Sequence, residues 1–188
     1  MENSEAYKRF IKQLKSIGAA KKDGYDPRTI DLLYEWERGK IEDIIWDYFN
    51  DKNDYLLCTL MPKLEKYDGV KALQESPILD QIPSSGSAYI SSVLYECTKD
   101  GKYLDIIKRN IDADPDNIEY VSILSYCDAS DKLFELLKDV YLNNNNTVNR
   151  GIAVRGMLHI RGLMKSINDP VDIQNTKEIS FLYNSKCR

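Results

Sequence analysis

Histidine occurs once in these 188 residues and cysteine four times. His159 has no second His or Cys at ligand spacing, so a metal site built on it would need remote carboxylates, and none is expected. No G-x-S-x-G or Cys–His signature supplies it with a nucleophile, which leaves a structural or surface residue and no catalytic centre. The cysteines, at 58, 97, 127 and 187, form no C-x-x-C pair, and three lie in apolar helical patterns where a buried free thiol is expected. Glycine is sparse and forms no phosphate-cradling loop. Gly151, Gly156 and Gly162 are spread along one helical pattern, where the expectation is close helix packing. No run approaches the roughly 18 apolar residues of a membrane span. The start, MENSEAYKRF, lacks the apolar stretch of a signal peptide, so a reducing cytoplasm is the expected compartment. No segment alternates apolar and polar residues cleanly enough for a strand, and no Asn-Gly or Asp-Gly joins two strand-like runs. A basic excess is missing too: 26 Lys and Arg stand against 30 Asp and Glu, a net charge of −4. That balance argues against wholesale nucleic-acid binding and suits a basic partner better.

What is present is helical patterning throughout. Tyr7, Phe10, Ile11, Leu14 and Ile17 recur at steps of three and four behind Ser4, a plausible N-cap. Asp26-Pro27 restarts a helix that would bury Leu32, Leu33 and Trp36. Ile41, Ile44, Ile45, Tyr48 and Phe49 mark a third helix. A fourth, from about Asn53, carries Leu57, Leu60, Met61 and Leu64 inward, with a kink or early break expected at Pro62. Pro83-Ser84-Ser85-Gly86 reads as a linker. Helices are then expected from near Ser85 to Cys97, after Gly101 with Leu104, Ile107 and Ile111, around Ile118, Val121 and Leu124, around Leu133, Leu137, Val140 and Tyr141, and from about Thr147 to Ile167, with a weak terminal one holding Val171, Ile179 and Leu182. A hydrophobic content of 43% suffices for one continuous core, so residues 1–188 are expected to form a single helical domain of ten to eleven helices.

The chain also half-repeats itself. LLYEWERGKIEDIIWDYF at 32–49 and VLYECTKDGKYLDIIKRNI at 93–111 fall into step after one inserted residue. The offset of about 61 residues implies a helical unit used twice, in copies spanning 26–83 and 85–142 and followed by the helices of 147–188. Such a repeat predicts a right-handed α–α stack with nearest-neighbour contacts.

Two rows of carboxylates are the candidate partner-binding residues. Asp43, Asp47, Asp51 and Asp54 fall within about 80° on one helix face if that helix continues far enough. Asp131, Glu135 and Asp139 form a second row, with Asp128 at its start and Lys132 and Lys138 diluting it. Either these are solvated faces, or they join into a negative surface that steers a basic partner. Trp46 lies roughly 130° from its helix's apolar stripe and corresponds to Lys108 in the second copy. It is either an interface anchor beside the carboxylates or a residue packed under the N-terminal helix. Its neighbour Trp36, matched by Cys97, is expected in the core. Arg150, Arg155, Arg161 and Lys165 make 147–167 basic, either for nucleic acid or an acidic partner, or to match acidic helices of the same chain. Asp112-x-Asp114-x-Asp116-Asn117 looks like the opening of a calcium loop, but the turn glycine and the final bidentate glutamate are replaced by Asn117 and Ile123, so a helix cap is expected instead.

The paired LLYEWERGKIEDII and VLYECTKDGKYLDII units resemble the HEAT-like α-solenoid class. In general character the chain is also similar to bacterial immunity proteins, which bind and neutralise a cognate toxin domain. That resemblance implies a stoichiometric inhibitor without catalysis or cofactor, with a basic toxin domain as partner. Two other functions remain open: an adaptor holding a peptide in a concave groove, and a HEAT-like enzyme acting on nucleic acid through the basic helix.

Overall fold

The computed structural model describes residues 2–16 and 24–168. Among these, the chain is all-α: eight α-helices and four short 3-10 helices, with no strand. It divides into two compact units, Met1–Asp80 and Gln81–Arg188, the boundary falling just before the Pro83–Gly86 linker. No described helix is long and apolar enough to cross a membrane.

The first unit begins with α1 (Glu5–Leu14). Ser4 caps it by accepting from the Tyr7 amide at 3.1 Å, and Phe10 and Leu14 face inward. A 3-10 turn, Ile30–Leu32, leads to α2 (Glu35–Lys52), the long helix of this unit. Its inner face is Ile41, Ile45 and Phe49, with two carboxylates, Glu37 and Glu42, buried beside them. Asn53 ends α2 in the left-handed region, φ 53°. The fourth helix expected beyond it is replaced by two 3-10 pieces, Tyr55–Thr59 and Met61–Lys63. Pro62 sits in the first turn of the second piece, where its missing N–H costs nothing. The short helix α3 (Gly69–Gln74) then packs on Met61–Lys63. That approach requires glycine, since a Cβ on Gly69 would stand 1.9 Å from the Met61 carbonyl oxygen.

The second unit holds α4 (Ser85–Thr98), α5 (Lys102–Ala113), α6 (Ile118–Tyr126), α7 (Asp131–Asn143) and α8 (Thr147–Ile160). Ser84, Asn117, Ser130 and Asn146 cap α4, α6, α7 and α8 through their side-chain oxygens. Asn117 therefore does what the acidic motif at 112–117 led us to expect of a helix start. The nine-residue α6 is the hub, touching all four other helices. Its composition explains this, because Tyr120, Val121, Ile123, Leu124 and Ser125 bury more than half of its circumference, leaving Ile118, Glu119 and Tyr126 exposed.

Several expectations are corrected. The two Gly-Lys pairs do not occupy equivalent corners. Gly39-Lys40 lies inside α2, whereas Gly101-Lys102 is the junction of α4 and α5. A Cβ on Gly39 would meet nothing within 4 Å, while one on Gly101 would meet the Lys132 side chain at 2.8 Å. In the second copy Tyr95 lies inside α4, which ends where Lys99 turns left-handed at φ 56°. In the first copy no such turn intervenes, and the chain enters α2 at Glu35. Trp36 consequently sits in the first turn of α2 rather than in the core, 52% exposed, beside Tyr34 at 53% and Leu32 at 59%. Cys97, its counterpart, is exposed as well. The described residues hold eight α-helices and four 3-10 helices, and α8 stops at Ile160, short of the expected Ile167. Ile17, the loop at 18–23 and the terminal segment with Val171, Ile179 and Leu182 lie outside the described residues.

Of the three glycines in the α8 region, Gly156 alone serves close packing. A Cβ there would come within 2.8 Å of Leu137 Cδ1 and 3.1 Å of Ser125 Cβ, both on buried residues of the flanking helices. Gly151 faces open space, and Gly162 follows the helix at φ 69°. Gly156→Ala is expected to cost about 1–2 kcal/mol in denaturant unfolding through overpacking. Gly151→Ala should add about 0.5–1 kcal/mol through helix propensity. Equal shifts for both would show that α8 does not press on α6 and α7 as described.

Candidate functional site

The site is built on α2. Trp46 is half-buried and stacks on Tyr67, ring centroids 4.4 Å apart and planes 12° from parallel. Neither of the two expectations for Trp46 foresaw Tyr67 as its cover. The Tyr67 hydroxyl donates to Asp43 Oδ1 at 2.5 Å, and Lys66 forms an ion pair with the same carboxylate. Lys66 foremost, then Tyr67, hold Asp43 below the ordinary carboxylate range. The Tyr67 hydroxyl is pushed up, chiefly by its bond to Asp43.

Buried Glu42 positions this cluster from beneath. Its carboxylate accepts from Arg38 Nε at 3.0 Å and from the backbone amides of Glu65 and Lys66 at 3.2 and 2.8 Å. Those two amide bonds bring the 65–67 segment back across α2 and set Tyr67 over Trp46. A groove of about 460 Å³ opens beside the stack, between α2 and the α3 region. Phe49 and Pro77 give it apolar walls, Asn50 and Asn53 line one side, and Asp68, Lys71 and Glu75 line the other, with Lys71 3.8 Å from Glu75.

The first acidic row divides in this setting. Asp47 and Asp51 are exposed and carry no ion pair among the described residues. Asp43 is engaged as above. Asp54 lies past the end of α2, where it is 8% exposed and accepts from the buried Tyr25 hydroxyl at 2.8 Å, so the exposed row ends at Asp51. Burial first, then the Asp54 carboxylate, push the Tyr25 hydroxyl upward. On the α2 wheel Trp46, Asn50, Asp43, Asp47 and Asp51 follow one another at about 40° intervals after Asp43, so groove and carboxylates share one side of the helix.

The second row belongs to the other unit and is largely neutralised there. Asp139 pairs with Lys108 at 2.8 Å, which holds it below its ordinary range, and Glu135 pairs with Lys138 at 3.2 Å. Asp128 pairs with Lys99, and Asp131 stands in the exposed first turn of α7, where it complements the helix dipole. Two of the four basic residues of the α8 region lie over aromatic rings of their own unit, while the buried Nε atoms of Arg150 and Arg155 have no hydrogen-bond partner among the described residues. Arg150 lies over the Tyr141 ring at 5.2 Å and Arg161 over Phe134 at 4.3 Å, both rings on α7. His159 is exposed, with Nδ1 3.1 Å from the Met164 carbonyl. No group of three or more His, Cys, Asp or Glu among the described residues is placed to hold a metal ion.

Comparison of the chain with protein-family models, with curated proteins and with solved structures gives no match.

The frame under the site is acid-sensitive. Glu37 accepts from the Ser4 amide at 2.8 Å, the Ser4 hydroxyl at 2.6 Å and the Tyr34 amide at 3.0 Å, joining α1 to the start of α2. Burial alone would raise its pKa, but these bonds outweigh it and the value is lowered. A lowered carboxylate stabilises the fold above its unfolded pKa, near 4.3, and that contribution is lost as pH falls through the folded value. Melting of the first unit should therefore be flat between about pH 7 and 5 and fall below about pH 4. Glu37→Gln should lower the midpoint at neutral pH and flatten the acid limb. An acid limb of unchanged slope, followed by circular dichroism, would show that Glu37 is not its source. Separately, Glu42→Ala is expected to cost about 2–4 kcal/mol by stranding two amides and Arg38. It should also red-shift Trp46 emission as Tyr67 lifts away.

Proposed function

We propose that the chain is a non-enzymatic binding protein that neutralises a basic partner by stoichiometric contact, in the manner of bacterial immunity proteins that occlude a toxin domain in the cytoplasm. The observation carrying this reading is the pairing, on one side of α2, of two unneutralised carboxylates, Asp47 and Asp51, with a partly exposed, stacked tryptophan beside a groove. An aromatic anchor with adjacent charge is the composition of an interface hot spot, and exposed carboxylates raise the encounter rate with a cationic surface. The pairing of Asp43 inside the Lys66–Tyr67 cluster gives it a positioning role, holding the ring that covers Trp46. Asp54 supports the chain behind the site through Tyr25. Asp131 is the freest member of the second row, with Glu135 and Asp139 contributing less through their lysine partners.

The same reading takes the second unit as the HEAT-like part of the chain, a right-handed α–α stack. Its support is the contact pattern: α4 touches α5 and α6, and α6 touches α7 and α8, the order in which neighbouring helix pairs bury their stripes. In this reading the partner is a protein. The engagement of Arg150 and Arg161 with rings of α7 favours it over a nucleic-acid enzyme.

The experiment is a double charge reversal, Asp47→Lys with Asp51→Lys, assayed against whichever protein a pull-down with the unaltered chain recovers from native lysate. Affinity should fall at least about tenfold, roughly 1.4 kcal/mol, and the wild-type complex should weaken steeply between low and physiological salt. A change below about 0.5 kcal/mol, smaller than ordinary hot-spot costs, would place the interface elsewhere.

A further inference from the structure

A second recess, of about 190 Å³, lies in the second unit between α4 and α6. Tyr89, Ser92 and Glu96 face it at helical spacing from α4, and Glu119, Ser122 and Tyr126 from α6. The two serine hydroxyls have already spent their hydrogens: Ser92 Oγ donates to the Tyr89 carbonyl at 2.8 Å and Ser122 Oγ to the Ile118 carbonyl at 2.9 Å. The Cys127 thiol at the base donates to the Ile123 carbonyl at 3.5 Å. What these groups turn to the recess is acceptor capacity alone.

The carboxylates add to this. Glu96 accepts no hydrogen bond and forms no ion pair among the described residues. Glu119 has a single neutral donor, Ser85 Oγ. Lys99, the cation nearest to Glu96 along the chain, is taken by Asp128. Burial, then the Asp128 charge, hold the Glu96 carboxyl above its ordinary range, against a smaller lowering by Lys99. Among the described residues, no cation lines this recess of two carboxylates, two serine acceptors and two tyrosines. A guanidinium suits such a recess better than an ammonium, because its planar fork pairs with carboxylates while its face lies on an aromatic ring.

We propose that the recess between α4 and α6 is a binding site for the guanidinium of an arginine side chain presented by a protein partner, with Glu96 and Glu119 as its charge partners and Tyr126 as its stacking surface. Tyr126 suits that role, being 55% exposed with its hydroxyl oxygen held by Asn168 Nδ2. The site is independent of the α2 face and stands or falls without it.

The test titrates the full-length, 15N-labelled chain with three blocked amino acids: N-acetyl-arginine N-methylamide, its neutral isostere N-acetyl-citrulline N-methylamide, and N-acetyl-lysine N-methylamide. The arginine probe should give saturable shifts confined to amides around 92–97 and 119–127. The citrulline probe should bind at least about tenfold more weakly, and the lysine probe more weakly than arginine. Glu96→Gln and Glu119→Gln, which preserve shape, should each weaken the arginine probe about fivefold, while Asp47→Lys with Asp51→Lys should leave it unchanged. The proposal is overturned if citrulline or lysine binds as well as arginine, if the shifts map elsewhere or fail to saturate, or if the charge reversal on α2 abolishes them. The three-probe comparison needs only the wild-type protein, so it decides the matter even if a variant fails to fold.

Discussion

Glu42 sits on the inner side of α2 with its carboxylate enclosed by Arg38 and by the backbone amides of Glu65 and Lys66. A buried carboxylate must be satisfied or it destabilises the fold, so the chain beyond the 3-10 turns has to return across α2 at this point. Everything the candidate site uses is downstream of that return. Lys66 reaches Asp43, Tyr67 reaches both Asp43 and Trp46, and α3 follows two residues later as the far wall of the groove. Gly69 matters for the same reason, since only a residue without Cβ lets α3 lie against the Met61 carbonyl.

The two units solve the problem of burying helices differently. The second is built from five helices of nine to fourteen residues, four of them capped by Ser or Asn side chains, around the apolar α6. Ion pairs from Lys108 to Asp139 and from Lys132 to Asp105 stitch α5 to α7 across their outer sides. Exposed pairs of this kind contribute little to stability, and they cancel surface charge. The first unit relies more on polar clasps, Glu37 on Ser4 and Glu42 on the 65–66 amides, and it leaves Asp47, Asp51 and the Leu32–Tyr34–Trp36 patch uncovered among the described residues. The interface reading rests on α2 because Asp47 and Asp51 stand there beside the stacked Trp46 and its groove.

Much of this was legible beforehand, and the failures share a cause. The inward faces of α1, α2, α5 and α7 and the Ser4 cap follow from residue spacing and from what Ser does to neighbouring backbone. Similar letters took different structures in the two copies: Tyr34 is extended before α2, whereas Tyr95 lies inside α4, which ends at the left-handed Lys99. Trp36 was misplaced accordingly: its surroundings depended on where α2 begins. A hint did exist in Tyr34-x-x-Glu37, half of a capping box, but tyrosine at the cap position hides it.

Local physics settled the helical class, the face each helix would bury and most of its ends, because those depend on interactions within about four residues along the chain. Long-range contact decided the remainder. Whether Asp54 meets water or Tyr25, whether Trp46 is bare or covered by Tyr67, and whether Glu96 finds a counter-charge are set by residues some twenty to thirty positions away. Periodicity describes which side of a helix a residue occupies; the partner that closes over that side comes from a distant segment, and its arrival carries no signal in the spacing.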